Sequence, residues 1–451
     1  MKVRQLFGTD GVRGVAGEFP LDPNTVYALG AALGDIAGKL ESKPEIVIGM
    51  DTRESGPWIA AHVAGGLMDH GASVRFAGVT TTPGVAYLTR TNTFVAGVMI
   101  SASHNPYHDN GIKIFSHSGY KLPDAREHDI EQDLFAMLEA GVQPAPATLA
   151  PDAGLDRHYI DFLASTVERS LSGLNLVVDC GNGAASALAP ELFRRLGACV
   201  TALSCAPDGR NINLGCGALH LEKLREAVLA GGADMGVAFD GDADRAIFVS
   251  RSGRVVDGDA VLLMCAKALH AKRRLTGPEG KPTVVATVMS NLGLERALVA
   301  NGIGLLRTPV GDKYVLEEML KTGAVLGGEQ SGHVIFSEYA TTGDGLLTAL
   351  RVIGTAVEAG RGLDELTCEL EIYPQRLVNV RIKSRKPLSE LPAVNEEIRA
   401  AEQDFGDAGR VLVRFSGTEP LARVMVEGPD LARVEAAATR IAAAIERDLG
   451  A

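Results

Sequence analysis

The sequence has no long apolar stretch and comparatively few basic residues. No hydrophobic run approaches the ~18 residues that a membrane-spanning helix requires. Residues 1–7 lead directly into Gly8-Thr9-Asp10-Gly11, without the apolar core of a signal peptide. Lys and Arg total 44 against 56 Asp and Glu, a net charge of −12. This balance argues against general nucleic-acid or anionic-membrane binding, although a local basic pocket can still hold a small anion. We therefore predict a cytoplasmic protein with no nucleic-acid partner and no membrane partner.

Cysteine pairs are also missing. The six cysteines are scattered and none belongs to a C-x-x-C pair, so we predict buried free thiols in a reducing compartment. What the sequence does have is length and a globular composition, with 451 residues, of which 46% are hydrophobic and 22% are charged. That length suggests about three or four domains.

Strand and helix patterns repeat three times along the chain. Each time, a buried strand leads to a polar turn and a helix, and a glycine after the helix starts another strand. These glycines are Gly71, Gly197 and Gly302. A linking helix is predicted over 156–171, and after about residue 371 the pattern becomes typical of a small α+β module. We predict an α/β fold of three related mixed-sheet domains and a C-terminal α+β domain, with bounds at 1–153, 154–254, 255–368 and 369–451.

One stretch follows a predicted strand over 94–100 and carries candidate chemistry. The sequence there is Ser101-Ala102-Ser103-His104-Asn105-Pro106. Ligands of α/β sheets bind beyond the carboxyl ends of the strands. Ser103 beside His104 indicates either a hydroxyl nucleophile or a phosphate carrier, whereas a Ser/Asn-capped turn without chemistry fits the same residues. The stretch alone leaves these interpretations open.

A second stretch concentrates carboxylates between two strand-like runs, 235–239 and 246–250. It reads Asp240-Gly241-Asp242-Ala243-Asp244-Arg245. Three anions so close together need a cation, and ligation by oxygen alone favours Mg²⁺. An EF-hand does not fit, because its sixth position would be Arg245 and its twelfth Arg251. A solvated acidic turn and an aspartyl-nucleophile phosphatase remain as alternatives.

Two further loops have residues suited to a sugar phosphate. Glu329 and Ser331, flanked by glycines, can bind vicinal sugar hydroxyls, and His333 could exchange a proton with one of them. The run 414–420 combines an arginine, two hydroxyls and a glycine, which suits a phosphate, and Arg423 adds charge. An ordinary polar turn is the alternative in both places.

Two isolated cations complete the candidates. Arg13 lies in a glycine-punctuated loop, and Lys113 lies close to Ser103 in sequence, although either fits a plain surface cation. Together the loops offer a hydroxyl, a metal site, a sugar-binding loop and a phosphate site, which are the parts that phosphoryl transfer requires. A sugar-phosphate or calcium-binding protein without turnover is the non-enzymatic alternative.

The chain resembles the α-D-phosphohexomutase superfamily. Five motifs occur in the family's order and span nearly the whole chain, at 8–14, 101–106, 240–245, 328–333 and 414–420. The resemblance implies four domains around a central cleft. It also implies that the last domain is similar to a TATA-box-binding-protein fold.

The resemblance further implies a role for each candidate residue. Ser103 would be a phosphoserine carrier and would bind one Mg²⁺ per chain together with Asp240, Asp242 and Asp244. The residues implied at the reacting centre are Ser103, His104, Lys113, Arg245 and His333, among which the general base is not assigned. The residues implied to bind substrate are Arg13, Glu329, Ser331, Arg414, Ser416, Gly417, Thr418 and Arg423.

The implied reaction moves a phosphate between two oxygens of one sugar. Phosphoserine gives its phosphate to glucosamine 6-phosphate, the hexosamine 1,6-bisphosphate turns end for end, and its 6-phosphate returns to Ser103. Glucosamine 1-phosphate is left, to supply UDP-N-acetylglucosamine and cell-wall precursor synthesis. A mobile fourth domain would let the intermediate turn. Gln330, between Glu329 and Ser331, favours the glucosamine branch over the glucose and mannose branches. The expected partner is a small hexosamine phosphate, and the prediction allows a homodimer.

Overall fold

The computed structural model describes residues 6–8, 10–415 and 420–450. The chain divides into two compact units. The first comprises Met1–Val288 and Leu305–Cys368, and the second comprises Met289–Gly304 and Glu369–Ala451.

The first sheet lies in the first third of the chain. Its strands are β1 (Val12–Val15), β2 (Glu45–Met50), β3 (Ser73–Val79), β4 (Ala96–Ile100) and β5 (Asp109–Ser116). They lie in the order β1-β5-β4-β2-β3, with β2 parallel to β3 and β4, and β5 antiparallel to β4 and β1. The accompanying helices are α1 (Pro23–Leu40), α2 (Gly56–Asp69), α3 (Thr82–Thr91), α4 (Asp124–Ala140) and α5 (Ala153–Ser165). All five residues of β4 are buried, as expected of a central strand that is covered on both faces.

The second sheet repeats the same arrangement. Its strands are β6 (Asn175–Asp179), β7 (Cys199–Leu203), β8 (Met235–Phe239), β9 (Ala246–Ser250) and β10 (Val255–Val256). They lie in the order β10-β9-β8-β6-β7, with β6 parallel to β7 and β8, and β9 antiparallel to β8 and β10. Its helices are α6 (Ala185–Arg195), α7 (Glu222–Gly231) and α8 (Gly258–Ala271).

A third sheet has the same strand order without the outer strand. Its strands are β11 (Thr283–Thr287), β12 (Gly304–Thr308), β13 (Leu326–Gly328) and β14 (Val334–Phe336), in the order β12-β11-β13-β14. Again the third strand is parallel to the first, and the fourth is antiparallel to the third. The helices of this region are α9 (Leu292–Ala300), α10 (Asp312–Thr322), α11 (Gly345–Ala359) and α12 (Leu363–Leu366). The predicted threefold repeat of a mixed α/β sheet is confirmed.

The second unit is built on a smaller antiparallel sheet. Its strands are β15 (Gln375–Arg381), β16 (Arg410–Phe415) and β17 (Leu421–Glu427), with β17 in the centre. The helices α13 (Pro392–Phe405) and α14 (Leu431–Leu449) follow the α+β pattern that the sequence predicts. Helix α9 belongs to this unit, because the buried carboxylate of Glu427 accepts a hydrogen bond from the backbone N–H of Leu292 at 3.0 Å.

Two local predictions need correction. The linking helix covers Ala153–Ser165 rather than 156–171, because the Asp152 side chain caps it by accepting from the Gly154 N–H. All six cysteines are free, but Cys199 and Cys368 are exposed rather than buried. Cys199 opens the edge strand β7, where a side chain can face solvent. None of the helices in the described part of the chain has both the length and the apolar character needed to cross a bilayer.

Candidate active site

Ser103 lies in the loop between β4 and β5, which we call the serine loop (residues 101–108). Its φ is 51°, a left-handed conformation that residues other than glycine rarely adopt. The residue is 1% exposed. Its Oγ donates to Oδ2 of Asp240 at 2.6 Å and lies 3.3 Å from Nδ1 of His104. The predicted reacting hydroxyl therefore faces the predicted metal ligands, across 137 residues of sequence.

The three aspartates lie between β8 and β9, in what we call the aspartate loop (residues 240–245). One carboxylate oxygen from each of Asp240, Asp242 and Asp244 lies within 4.8 Å of the others, and all three residues are buried. Oδ1 of Asp242 and Oδ1 of Asp244 have no hydrogen-bond partner among the described residues. Burial, with the charges of Asp244 and Asp242, raises the pKa of Asp240 well above its usual range. Unpaired buried carboxylate oxygens in an all-oxygen set fit a hard divalent cation such as Mg²⁺.

Lys113 reaches the same carboxylates from β5. Its Nζ lies 2.9 Å from Oδ2 of Asp242, 3.2 Å from Oδ2 of Asp10 and 3.5 Å from Oδ2 of Asp244. Although burial opposes its charge, these carboxylates raise the pKa of Lys113 well above its usual range. Lys113 is therefore a buried cation that lies against two of the clustered aspartates.

Arg245 and His104 form the other side of this centre. The Nη1 of Arg245 lies 3.3 Å from Nδ1 of His104, and its Nε lies 3.8 Å from Oδ1 of Asp244. Burial, reinforced by the charge of Arg245, lowers the pKa of His104 to about 4. The imidazole is therefore neutral at pH 7. Because Nδ1 accepts from Arg245, the ring proton belongs on Nε2.

Glu329 and Ser331 lie in the loop between β13 and β14, which we call the sugar loop (residues 329–333). Oε1 of Glu329 accepts from the Gly311 N–H at 3.2 Å, and Ser331 is exposed. Gly332 has a φ of 94°, and its carbonyl accepts from the Ala246 N–H at 3.1 Å, directly after the aspartate loop. The sugar loop is thus bonded to the sheet that carries the metal ligands.

His333 ends the sugar loop and faces Asp244. Its Nδ1 lies 3.6 Å from Oδ2 of Asp244, and its Nε2 accepts from the Gly343 N–H at 3.0 Å. A nitrogen that accepts cannot carry the proton, so the neutral ring has its proton on Nδ1, toward Asp244. A Cβ on Gly343 would lie 2.5 Å from Nε2, and only glycine permits this contact.

The three loops occupy one position in three sheets of the same order. The loops connect β4 to β5, β8 to β9 and β13 to β14, which are antiparallel neighbours in each sheet, and each loop contains a residue with positive φ. Those residues are Ser103, Ala243 and Gly332. The same supersecondary connection therefore carries the Ser103 hydroxyl, the clustered carboxylates and the residues predicted to bind the sugar.

The remaining predicted residues lie on β1 and in the second unit. Arg13 forms an ion pair with Asp10, which places it next to Lys113. In the second unit, Arg414 on β16 pairs directly with Arg423 on β17. Two like charges at opposed positions repel, so an anion beside them would be stabilising. The predicted ligands Ser416, Gly417 and Thr418 lie outside the described residues.

Four polar residues of the centre are not among the predicted site residues. The Oγ1 of Thr82 donates to Oδ2 of Asp242 at 2.5 Å. Asp10 forms an ion pair with Lys121, which also pairs with Asp312 at the start of α10. Thr82 follows β3, so the rule that ligands gather beyond the strand ends could have identified it. No local sequence pattern indicates that Lys121 forms ion pairs with both Asp10 and Asp312, because 302 positions separate the two aspartates.

Four regions of the chain match domain families described for phosphoglucomutase/phosphomannomutase. Residues 4–140, 157–253 and 257–373 match the alpha/beta/alpha domains I, II and III, and residues 377–444 match the C-terminal domain. The phosphoglucosamine mutase of Solibacter usitatus is 65% identical over 447 residues, which is 99% of each chain. That of Koribacter versatilis is 51% identical over 457 residues, covering 99% of this chain and 98% of the relative.

Solved structures share the fold at low sequence identity. A phosphoglucomutase/phosphomannomutase family protein of Burkholderia thailandensis matches with a TM-score of 0.80 at 23% identity, over 97% of each chain. An N-acetylphosphoglucosamine mutase of Aspergillus fumigatus, in complex with GlcNAc-6P and magnesium, matches with a TM-score of 0.67 at 18% identity, over 98% of this chain and 96% of that one. These matches extend over the whole chain rather than a single sheet.

Proposed function

The chain belongs to the phosphoglucomutase/phosphomannomutase family, and on that premise we propose that it acts as a phosphoglucosamine mutase. It interconverts glucosamine 6-phosphate and glucosamine 1-phosphate, an isomerisation achieved by two phosphoryl transfers through a serine of the protein. One observation carries the proposal. The hydroxyl of Ser103 is hydrogen-bonded at 2.6 Å to one of three clustered buried carboxylates, in a chain that is 65% identical to a phosphoglucosamine mutase.

Ser103 acts as the phosphate carrier in this proposal. In the first transfer the bond between the serine Oγ and phosphorus breaks, a bond forms between phosphorus and O1 of glucosamine 6-phosphate, and the proton of the O1 hydroxyl passes to Oγ. In the second transfer the bond between O6 of the 1,6-bisphosphate and its phosphorus breaks, a bond forms between that phosphorus and Oγ, and the serine proton passes to O6. Such transfers depend on alignment and on charge neutralisation more than on covalent activation. The buried setting of Ser103 supports both requirements and keeps water out.

The charged groups around Ser103 have complementary roles. Lys113 and Arg245 offset the negative charge of the phosphoryl group, because the surrounding carboxylates hold both in the charged form. His104 is neutral, whereas Asp244 raises the pKa of His333 against the effect of burial, and both rings line the same centre. A phosphoserine carries about −2 charge at pH 7, so the three aspartates could not lie beside it without further cations.

Asp240, Asp242, Asp244 and phosphorylated Ser103 would together hold one Mg²⁺. When bound, the ion supplies positive charge to the phosphoryl oxygens and to the carboxylates. The buried oxygens of Asp242 and Asp244 that accept no hydrogen bond from the described residues support this assignment.

Glu329 and Ser331 would bind the sugar hydroxyls, and Arg414 and Arg423 would bind the phosphate that is not being transferred. The opposed pair of arginines supports this role, and the same role for Ser416, Gly417 and Thr418 stays a prediction. The substrate class is a hexosamine phosphate. A homodimer and a cytoplasmic location also stay predictions, and light scattering on the purified protein tests the first.

A coupled assay tests the proposed function. Glucosamine, glucose and mannose 6-phosphates are compared side by side with a hexose bisphosphate primer and Mg²⁺. We expect the highest kcat/KM on glucosamine 6-phosphate, and we expect Ser103→Ala to be inactive on all three. A better rate on glucose or mannose 6-phosphate would overturn the substrate. Release of inorganic phosphate by an active Ser103→Ala variant would indicate a phosphatase instead.

A further inference from the structure

The backbone of the serine loop is held by two side chains that lie outside it, one from each of the first two sheet domains. A left-handed residue that is not glycine persists only where its surroundings fix it. Ser103 is such a residue, with a φ of 51°, and its peptide orientation sets the direction of its hydroxyl. The groups that fix this peptide therefore control the position of the reacting oxygen.

Arg53, at the carboxyl end of β2, holds four carbonyl groups of the serine loop and of the start of β5. Its Nη2 donates to the carbonyls of Ser103 and Asn105 at 2.9 and 2.8 Å. Its Nη1 donates to the carbonyls of Pro106 and Asp109. The side chain of Arg53 is fully buried. A guanidinium has a planar fork of donors that can bind several carbonyls at once, which an ammonium cannot do.

Asp51 fixes the N–H group of Ser103 through the hydroxyl of Ser101. Its Oδ2 accepts from Nε of Arg53 at 2.9 Å and from Oγ of Ser101 at 2.6 Å. That Ser101 Oγ in turn accepts from the N–H of Ser103 at 2.9 Å. Both peptide groups of Ser103 are therefore fixed by one connected network.

Asn213, in the loop after β7, binds the same two carbonyls from the second sheet domain. Its Nδ2 donates to the carbonyl of Ser103 at 2.9 Å and to that of Asn105 at 3.2 Å. Asn213 is itself left-handed, with a φ of 57°, and its N–H donates to the Gly181 carbonyl at 2.8 Å. The side chain that reaches the serine loop is thus held by the domain that carries the metal ligands.

The aspartate loop packs directly on this contact. A Cβ on Gly241 would lie 2.4 Å from the Ser103 carbonyl oxygen and 2.9 Å from Nδ2 of Asn213, so only glycine fits between Asp240 and Asp242. The Ser103 carbonyl, the amide of Asn213 and the backbone of the aspartate loop are therefore in mutual contact. A shift of this carbonyl would change the distance between the serine hydroxyl and the carboxylates.

We propose that Arg53 and Asn213 are positioning residues that hold the Ser103 peptide from two domains and align its Oγ for both phosphoryl transfers. This inference rests on the proposed function. Both residues act on backbone carbonyls and not on the reacting atoms, so they affect alignment. Misplacement of a reacting group by about 1 Å can cost on the order of 10²-fold in rate.

The decisive variants are at Asn213, which is only half-buried, so that the fold should survive. Asn213→Asp has the same size but places a carboxylate against two carbonyls, and Asn213→Ala removes the donor. We expect kcat to fall about 100-fold in Asn213→Asp and about 10-fold in Asn213→Ala, in both reaction directions. KM for the sugar phosphate and the Mg²⁺ concentration for half-maximal activity should stay within about twofold, because the Asn213 amide bonds to backbone carbonyls and not to a side chain proposed to bind either ligand.

Asn211→Ala is the matched control. Asn211 lies in the same loop, but its side chain bonds only within that loop, donating to the Ala206 carbonyl at 3.0 Å and accepting from the Asp208 N–H at 3.1 Å. We expect its kcat to equal that of the wild type within about twofold. Arg53→Lys keeps the charge next to Asp51 but not the planar fork of donors. The folded variant should therefore have a lower kcat than the wild type.

The readout is the single-turnover rate at which phosphorylated protein passes its phosphate to glucosamine 6-phosphate. A fall of this rate in the Asn213 variants, with KM unchanged and Asn211→Ala normal, supports the proposal. Wild-type rates in Asn213→Asp, or equal losses in Asn211→Ala, would overturn it while leaving the proposed function intact. A wild-type protein that never carries phosphate on Ser103 would overturn both.

Discussion

The serine loop and the aspartate loop occupy the same position in two sheets of one topology, yet they differ in how far their buried polar groups are hydrogen-bonded. In the serine loop, the N–H and the carbonyl of Ser103 are both bonded to protein groups. In the aspartate loop, Asp242 and Asp244 each keep a buried oxygen without a hydrogen-bond partner among the described residues. Protein groups thus satisfy the backbone hydrogen bonds of the serine loop. The carboxylates of the aspartate loop would be stabilised by a bound cation.

The largest expected effect comes from a change in the aspartate loop. Asp240→Asn should lower kcat about 10³-fold, the order expected when one preorganised group is lost from a charged transition state. The stability of the metal-free protein should not fall, because the substitution removes repulsion among buried carboxylates. Steady-state kinetics and urea unfolding in EDTA check the two expectations. If the metal-free variant were clearly less stable than the wild type, the proposed repulsion among the carboxylates of the aspartate loop would be contradicted.

Added Mg²⁺ should stabilise the wild type and fail to stabilise Asp240→Asn. At 100 times its dissociation constant, a ligand specific for the native state contributes about 2.7 kcal/mol. The thermal midpoint of the wild type should therefore rise with the Mg²⁺ concentration. Because the serine loop is satisfied without a cation, Ser101→Ala should keep this response. Equal Mg²⁺ responses of wild type and Asp240→Asn would contradict the metal assignment.

A change in the serine loop should act on stability with or without metal. Ser101→Ala leaves the Ser103 N–H without its acceptor in a buried site and removes one of the two hydrogen bonds that Oδ2 of Asp51 accepts. The expected loss is about 2 kcal/mol of unfolding free energy, measured by urea denaturation. Ser42→Ala, at an exposed position, is the control and should stay within about 0.5 kcal/mol of the wild type. A normal stability of Ser101→Ala would show that this loop does not depend on its own hydrogen bonds.

The smallest effect concerns Asp156, a carboxylate outside both loops. Burial raises the pKa of Asp156 to about 6 from a usual value of 3.8. Between these values the folded protein binds more protons than the unfolded chain, so this group makes stability fall as pH rises through that window. Asp156→Asn should therefore raise the free energy of unfolding above that of the wild type by more at pH 7.5 than at pH 4.5, as measured by urea unfolding. Mg²⁺ should not alter this difference between the two pH values. A gain at pH 4.5 as large as at pH 7.5 would contradict this account.

Local patterns could predict the three sheets and the loops at their strand ends. The apolar run before Ser101 and the alternating aspartates after β8 are signals within ten residues of sequence, and each marks the carboxyl end of a strand. The composition of each loop then indicates its chemistry. The fold class and the family follow from such signals because they recur along the chain.

Contacts between loops could not be predicted in the same way. Asn213 lies in a short polar turn, and nothing near it indicates a bond to Ser103, which is 110 residues away. The end of β2 at Asp51-Thr52-Arg53 is visible in the sequence, but the carbonyls that Arg53 binds belong to a loop some 50 residues later. The Asn213 contact depends on the packing of one sheet domain against another, and the Arg53 contacts depend on the packing of two loops of one sheet. No local sequence period encodes either.

The measurement that tests the central claim most directly is the mass of the purified protein before and after substrate. We predict one added phosphate, located on the peptide that contains Ser103. When this phosphate carries an isotope label, the label should pass to the sugar on incubation with glucosamine 6-phosphate and Mg²⁺, and a hexose bisphosphate should phosphorylate protein that lacks the group. Ser103→Ala should never acquire it. Phosphate found on Asp240 instead, or full activity with Ser103 unmodified throughout, would contradict the account.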